Sequence, residues 1–117
     1  MSTSNVAAIA DYLKAWQILD MEGVCRHFHP DVIYTGSLQT LEGENAIRAF
    51  FESFAKMVEK VVVRAHAVEG DHAFVAFAFH CPASVGIGRV AEMLTFEGER
   101  IIAIEHFFDP RPFLPKG

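Results

Sequence analysis

The sequence predicts an α+β domain in which helices pack on one face of a curved, mainly antiparallel sheet. Three amphipathic helical stretches come first and four strand-like runs follow, ending at Ile104-Glu105-His106-Phe107-Phe108-Asp109-Pro110. The apolar period is helical up to Val58 and becomes two from Val61 onward. Ionisable groups also sit inside the apolar strands: His80, Glu92, Glu105 and His106. Burying such groups without partners costs several kcal/mol, so they predict a polar-studded pocket.

Each element has a local reason. Ser2-Thr3-Ser4 offers an N-cap, and Val6, Ile9, Ala10, Leu13 and Trp16 recur at helical spacing to about Leu19. Asp20 caps a short second helix carrying Val24 and Phe28, which His29-Pro30 stops because proline disfavours helical geometry in the residue before it. Asp31 to Thr35 reads as a short strand, and a loop runs through Gly43. The strongest helix carries the stripe Ile47, Phe50, Phe51, Phe54, Met57 and Val58, and Glu44 favours its positive N-terminal end. Strands are expected over 61–68, 73–80, 89–96 and 100–108, where β-branched and aromatic residues dominate. Turn signals between them (Glu69-Gly70-Asp71, Pro82 through Gly88, Glu97-Gly98-Glu99) imply antiparallel hairpins.

Composition bounds the function. A chain of 117 residues fits one domain, 1–117. Apolar residues make up 51% and eleven are Phe, ample for a core and an interface. The net charge of −5, with scattered basic residues, argues against nucleic acid. The longest stretch free of Asp, Glu, Lys and Arg, His72 to Gly88, holds His, Pro and Gly and does not read as a membrane span. No signal peptide is read, and a cytoplasmic location is expected. Cys25 and Cys81 read as free thiols rather than a disulfide or metal pair. Apolar residues on both alternations of the strands imply that the outer sheet face is covered by a second copy, with Val75, Phe77 and Phe79 as the outward set. The smaller set Phe74, Ala76, Ala78 and His80 would then make room for a ligand.

Several segments resemble the nuclear transport factor 2-like superfamily (a cystatin-like fold), in its SnoaL-like and ketosteroid-isomerase-like branch. They are Tyr12-Leu13-Lys14-Ala15-Trp16, Asp20-Met21-Glu22-Gly23-Val24, Phe28-His29-Pro30-Asp31-Val32, Gly43-Glu44-Asn45-Ala46-Ile47-Arg48-Ala49-Phe50-Phe51 and Phe96-Glu97-Gly98, within a similarity spanning Val6 to Phe108. The resemblance implies a cone-shaped domain, usually dimeric, with a pocket between the helices and the concave sheet. The same cone serves isomerases, polyketide cyclases, hydrolases, dehydratases and binding proteins, so the fold does not choose among them.

The resemblance places Tyr12 where the steroid isomerases keep an oxyanion-binding tyrosine, and Glu92 where they keep a protonated acid donor. The carboxylate base of those isomerases is replaced by Tyr34, whose phenol, with a pKa near ~10, is a poor base at neutral pH. The catalytic acid of the SnoaL-like cyclases aligns with His106, whose reference pKa of about ~6.5 suits proton abstraction. The expected catalytic set is therefore His106, Glu92 and Tyr12. Desolvation should push the Glu92 carboxyl toward its neutral form unless a nearby cation holds it charged.

The expected pocket lining is Trp16, Tyr34, Phe54, Ala76, Ala78 and His80, with Leu94, Ile104 and Phe108. Structural alternatives stand beside these roles. Glu92 could pair with Arg89, Arg100 or His80, His106 could be a hydrogen-bonded core residue, and Trp16 could be core alone. Alternation puts Ile102, Ile104, His106 and Phe108 on one strand face and Glu105 on the other, so only one of Glu105 and His106 faces the cone. No metal or cofactor is expected, and the expected ligand is a small hydrophobic molecule. The resulting expectation is a cofactor-independent isomerase, cyclase or lyase moving a proton next to a carbonyl. The alternatives are a non-catalytic binding module and an accessory dimerisation module.

Overall fold

A computed structural model describes residues 3–114, with side chains from Asn5 onward. The elements are α1 (Thr3–Gln17), α2 (Met21–Cys25), β1 (Phe28–Thr35), β2 (Thr40–Glu42), α3 (Glu44–Ala55), β3 (Lys60–Glu69), β4 (His72–His80), β5 (Ile87–Glu97) and β6 (Arg100–Phe108). A 3-10 turn, Arg111–Phe113, follows β6. Of the expected Ser2-Thr3-Ser4 cap, Ser2 lies outside the described residues, and Thr3 and Ser4 fall inside α1. No helix in the described chain is long and apolar enough to cross a membrane.

The six strands form one mixed sheet in the order β2-β1-β6-β5-β4-β3. The last four strands join as successive antiparallel hairpins. β1 pairs with β6 in parallel, because the helical segment returns the chain across the sheet before β3 begins. α1 packs on α2 and against β3, and α3 packs against β1. All the helices therefore cover one concave face, where Trp16 and Phe51 of the helices and Phe28, Phe77, Leu94 and Ile104 of the sheet are fully buried.

Three local expectations change. α1 stops at Gln17, and Leu19 takes a left-handed φ of 57° in the turn to α2. Asp20 caps α2 as expected, its side chain accepting from the Gly23 N–H, but α2 ends at Cys25 and His29-Pro30 lies inside β1. Proline is tolerated there because β1 shifts register against β6 between Phe28 and Ile33, where no regular ladder bond is demanded. The supposed loop before Gly43 contains the short edge strand β2, too brief to show a period.

The assignment of sheet faces is corrected in β4. Val75, Phe77 and Phe79 are buried and face the helices, since Trp16 packs edge-on to both phenylalanines. Phe74, Ala76, Ala78 and His80 alternate with them and lie on the opposite face, where Phe74 is 45% exposed. The bulky residues fill the space under α1, the largest apolar volume available, and small ones suffice outside. In β6 a bulge between the Thr95 and Phe96 pairings puts Ile101 and Ile104 inward and shifts Ile102 off the face it was expected to share.

Candidate active site

Register brings the site together. Val75, Glu92 and His106 are directly opposed across β4, β5 and β6, so all three point to the concave face, while Glu105 pairs with Met93 and Phe74 on the outer face. That resolves the Glu105–His106 choice in favour of His106. From α1, Tyr12 donates its phenolic proton to Glu92 Oε1 at 2.7 Å. Glu92 Oε2 is hydrogen-bonded to His106 Nε2. His106 Nδ1 is 3.0 Å from the hydroxyl of Tyr34 on β1. Four side chains from four elements thus form one continuous chain, Tyr12–Glu92–His106–Tyr34.

The surroundings of this chain are apolar. Tyr12 is fully buried and Glu92 is 2% exposed. The His106 ring stacks on Phe51, 10° from parallel with centroids 5.9 Å apart, and meets Tyr34 edge-on at 4.8 Å. Burial, then the Glu92 carboxyl beside it, holds the Tyr12 phenol well above its ordinary range. The Trp16 indole N–H works in the opposite direction, although its nitrogen makes no hydrogen bond of good geometry. Burial likewise raises Tyr34, with Glu92 adding to the effect. Both phenols are thereby kept as proton donors rather than phenolates.

A cavity of about 370 Å³ opens beside this chain, near the lower end for small-molecule sites. Its wall is Trp16 from α1, Tyr34 from β1, Phe50, Phe51, Ser53 and Phe54 from α3, Phe79, Val90, His106 and Phe108 from the sheet, and Leu38, Met57 and Phe113 from connecting segments. Tyr34 and His106 are therefore the polar groups where the buried chain reaches the cavity. Tyr12 and Glu92 stand behind His106 rather than on the wall.

The other expected lining residues divide. Trp16, Tyr34, Phe54 and Phe108 are on the wall. Leu94 and Ile104 are core residues that do not reach it, and Ala76, Ala78 and His80 lie across the sheet for the reason given above. The partners considered for Glu92 are also elsewhere: Arg100 donates to the Phe28 carbonyl at 3.2 Å, while Arg89 pairs with the outward Ala78.

Several wall residues were not anticipated as lining. Phe50 and Phe51 were visible in the α3 stripe but not assigned to the pocket, and Phe79 was lost with the inverted faces. Phe113, between two prolines, carries no periodic signal. It closes on Phe54 and Phe108, with centroids 6.0 and 5.8 Å away, and a Cβ on Gly88 would come within 2.9 Å of its ring. Glycine at that position therefore lets the C-terminal turn pack. Cys25 and Cys81 are free and buried, and desolvation raises the Cys25 thiol to about 11, which disfavours nucleophilic use.

The family model for the SnoaL-like domain matches residues 9–104. The chain belongs to the SnoaL-like family. No curated protein sequence matches it significantly. Among solved structures it is similar to a Kribbella flavida protein at 25% identity, covering 96% of this chain and 92% of that one with a TM-score of 0.85. A steroid delta-isomerase from Pseudomonas aeruginosa matches at 16% identity, covering 94% of this chain and 82% of that one with a TM-score of 0.80. A de novo designed protein with a curved β-sheet matches at 20% identity, covering 95% and 90% with a TM-score of 0.82. Since an isomerase and a designed scaffold fit this SnoaL-like chain about equally well, the likeness to them is one of fold, and chemistry has to be argued from the site.

Proposed function

We propose that this SnoaL-like protein is a cofactor-independent enzyme that moves a proton next to the carbonyl of a small, mostly apolar ring compound. The carrying observation is the imidazole of His106 on the wall of an aromatic cavity, backed by the buried Glu92 carboxyl, which Tyr12 in turn holds. A carboxyl behind an imidazole fixes its orientation and favours the protonated ring formed when it takes a proton, as in other acid–base sites. A buried acid–imidazole pair is costly to assemble, and packing alone would be served as well by apolar residues of similar volume.

The test is protein-dependent exchange of α-protons in D2O, followed by NMR, across a panel of cyclic enones and cyclic 1,3-diketones. Wild type should accelerate exchange for at least one member, and His106→Ala should lower that rate by roughly 10²-fold or more while leaving ketone binding largely intact. Ketones that bind without accelerated exchange would reject the enzymatic reading in favour of a binding module.

The homodimer remains part of the proposal on a changed set of residues. Phe74, Met93 and Phe107 are large apolar side chains on the outer face, with Phe107 52% exposed. Sedimentation at micromolar concentration should give a dimer that Phe107→Asp dissociates, and a monomeric wild type would reject it.

A further inference from the structure

Resting on the proton-transfer reading, the geometry points to Tyr34 as the catalytic residue that meets the substrate oxygen and relays protons between that oxygen and His106. Both ring nitrogens of His106 are already engaged, Nε2 by Glu92 and Nδ1 by the Tyr34 hydroxyl. With one ring face stacked on Phe51, the imidazole therefore meets the cavity through ring carbon atoms and not through a nitrogen. The Tyr34 oxygen, in contrast, uses one hydrogen bond toward His106 and has a second left for a ligand. Tyr34 lines the same cavity as Trp16 and Phe108, and with only 1% of the residue exposed the ligand would meet it at the inner end of that space.

The relay balances without ionising the phenol. A ligand O–H donates to the Tyr34 oxygen while the Tyr34 proton passes to His106 Nδ1. The O–H bond of the ligand breaks, a new O–H bond forms on Tyr34 as its old one is lost, and an N–H bond forms on His106. The ligand is left as an oxyanion and His106 as an imidazolium facing the Glu92 carboxylate. Reversal delivers a proton from His106 through Tyr34 to an enolate or carbonyl oxygen. The phenol is regenerated in each direction, consistent with surroundings that disfavour phenolate.

This assigns the substrate class as a ring compound bearing an enol or carbonyl oxygen on an otherwise apolar body. The walls contributed by Phe50, Phe54 and Phe79 suit a flat ring, and the Tyr34 oxygen supplies the polar contact that selects the oxygenated member of an isosteric pair.

The test uses 4-nitrophenol, an aromatic enol, and nitrobenzene, its counterpart without the hydroxyl. The single tryptophan of the chain, Trp16, lines the cavity, so its fluorescence reports occupancy. Wild type should prefer 4-nitrophenol, and Tyr34→Phe should lose about tenfold in 4-nitrophenol affinity, equivalent to about 1.4 kcal/mol, with nitrobenzene unchanged. A preference that survives Tyr34→Phe but disappears in His106→Ala would overturn the assignment, because the imidazole would then meet the ligand directly. Failure of either compound to alter Trp16 fluorescence would overturn the pocket itself and this inference with it. A measurement on wild type covers the case of a poorly folded variant. The chain has two tyrosines, Tyr12 and Tyr34, so ring-carbon labelling gives two Cζ resonances. That of Tyr34 should move with 4-nitrophenol and not with nitrobenzene, while Tyr12 stays fixed, and an unmoved Tyr34 signal would overturn the assignment.

Discussion

The two faces of the sheet use the same strands in opposite ways. On the concave face, Val75, Glu92 and His106 are opposed across β4, β5 and β6, and the polar pair there is roofed by aromatic rings and tied at both ends by tyrosines. One register step away, Phe74, Met93 and Glu105 form the matching row on the convex face, where the phenylalanine is exposed and the glutamate has no fixed partner in the chain of bonds. Polar groups thus sit deepest where water is excluded, and apolar groups lie where water reaches them. This inversion of the usual pattern supports the proposal of a reaction site on one face and a contact surface on the other.

The largest expected contrast is between the two phenylalanines of β4. In the Phe107→Asp monomer, Phe77→Ala should cost about 3–5 kcal/mol in urea denaturation, because the ring is buried against Trp16 and leaves a cavity, whereas Phe74→Ala should cost less than ~1 kcal/mol. Similar losses would mean the faces are wrongly assigned. A smaller contrast separates two acids on adjacent strands. Glu92→Gln should cost about 1–3 kcal/mol by disturbing the bonds to Tyr12 and His106, while Glu105→Gln should stay within about 0.5 kcal/mol.

How much of this was legible depended on the kind of signal. The helix stripe at Ile47, Phe51 and Phe54 and the period-two runs from Val61 gave the α+β order, because burial on one face imposes a period that sequence displays directly. Alternation also showed that His106 and Glu105 lie on opposite faces, but which of them is concave came only with the strand register. Which face of β4 turns inward did not, since Val75, Phe77, Phe79 and Phe74 are all apolar and only the space beneath Trp16 decides between them. The Glu92–His106 bond was hidden for another reason. It depends on the β5–β6 register, which the hairpin at Gly98 and the bulge near Ile102 set together. Phe113 reaches the cavity through a turn whose direction no periodicity encodes.

A further expected effect is pH dependence. Tyr12 is raised above its ordinary value near 10 by burial, so at alkaline pH the unfolded chain releases a proton that the fold retains. The sign is therefore fixed: stability is fully present below the unfolded pKa and falls as pH rises above it, by up to about 1.4 kcal/mol per pH unit for this one group. Cys25, raised to about 11 from a value near 9, starts the decline earlier. Denaturant midpoints across this range should fall less steeply in Tyr12→Phe than in wild type, and parallel slopes would place Tyr12 in contact with water.

The account stands or falls on the buried chain from Tyr12 to Tyr34, and long-range proton–nitrogen NMR of the histidine side chains reads its centre directly. His106 should show an Nε2-bound proton shifted strongly downfield and protected from solvent exchange, with this signal lost or moved in Glu92→Gln. A His106 ring exchanging freely with water, and indifferent to Glu92→Gln, would contradict the chain and the proton-transfer site built on it.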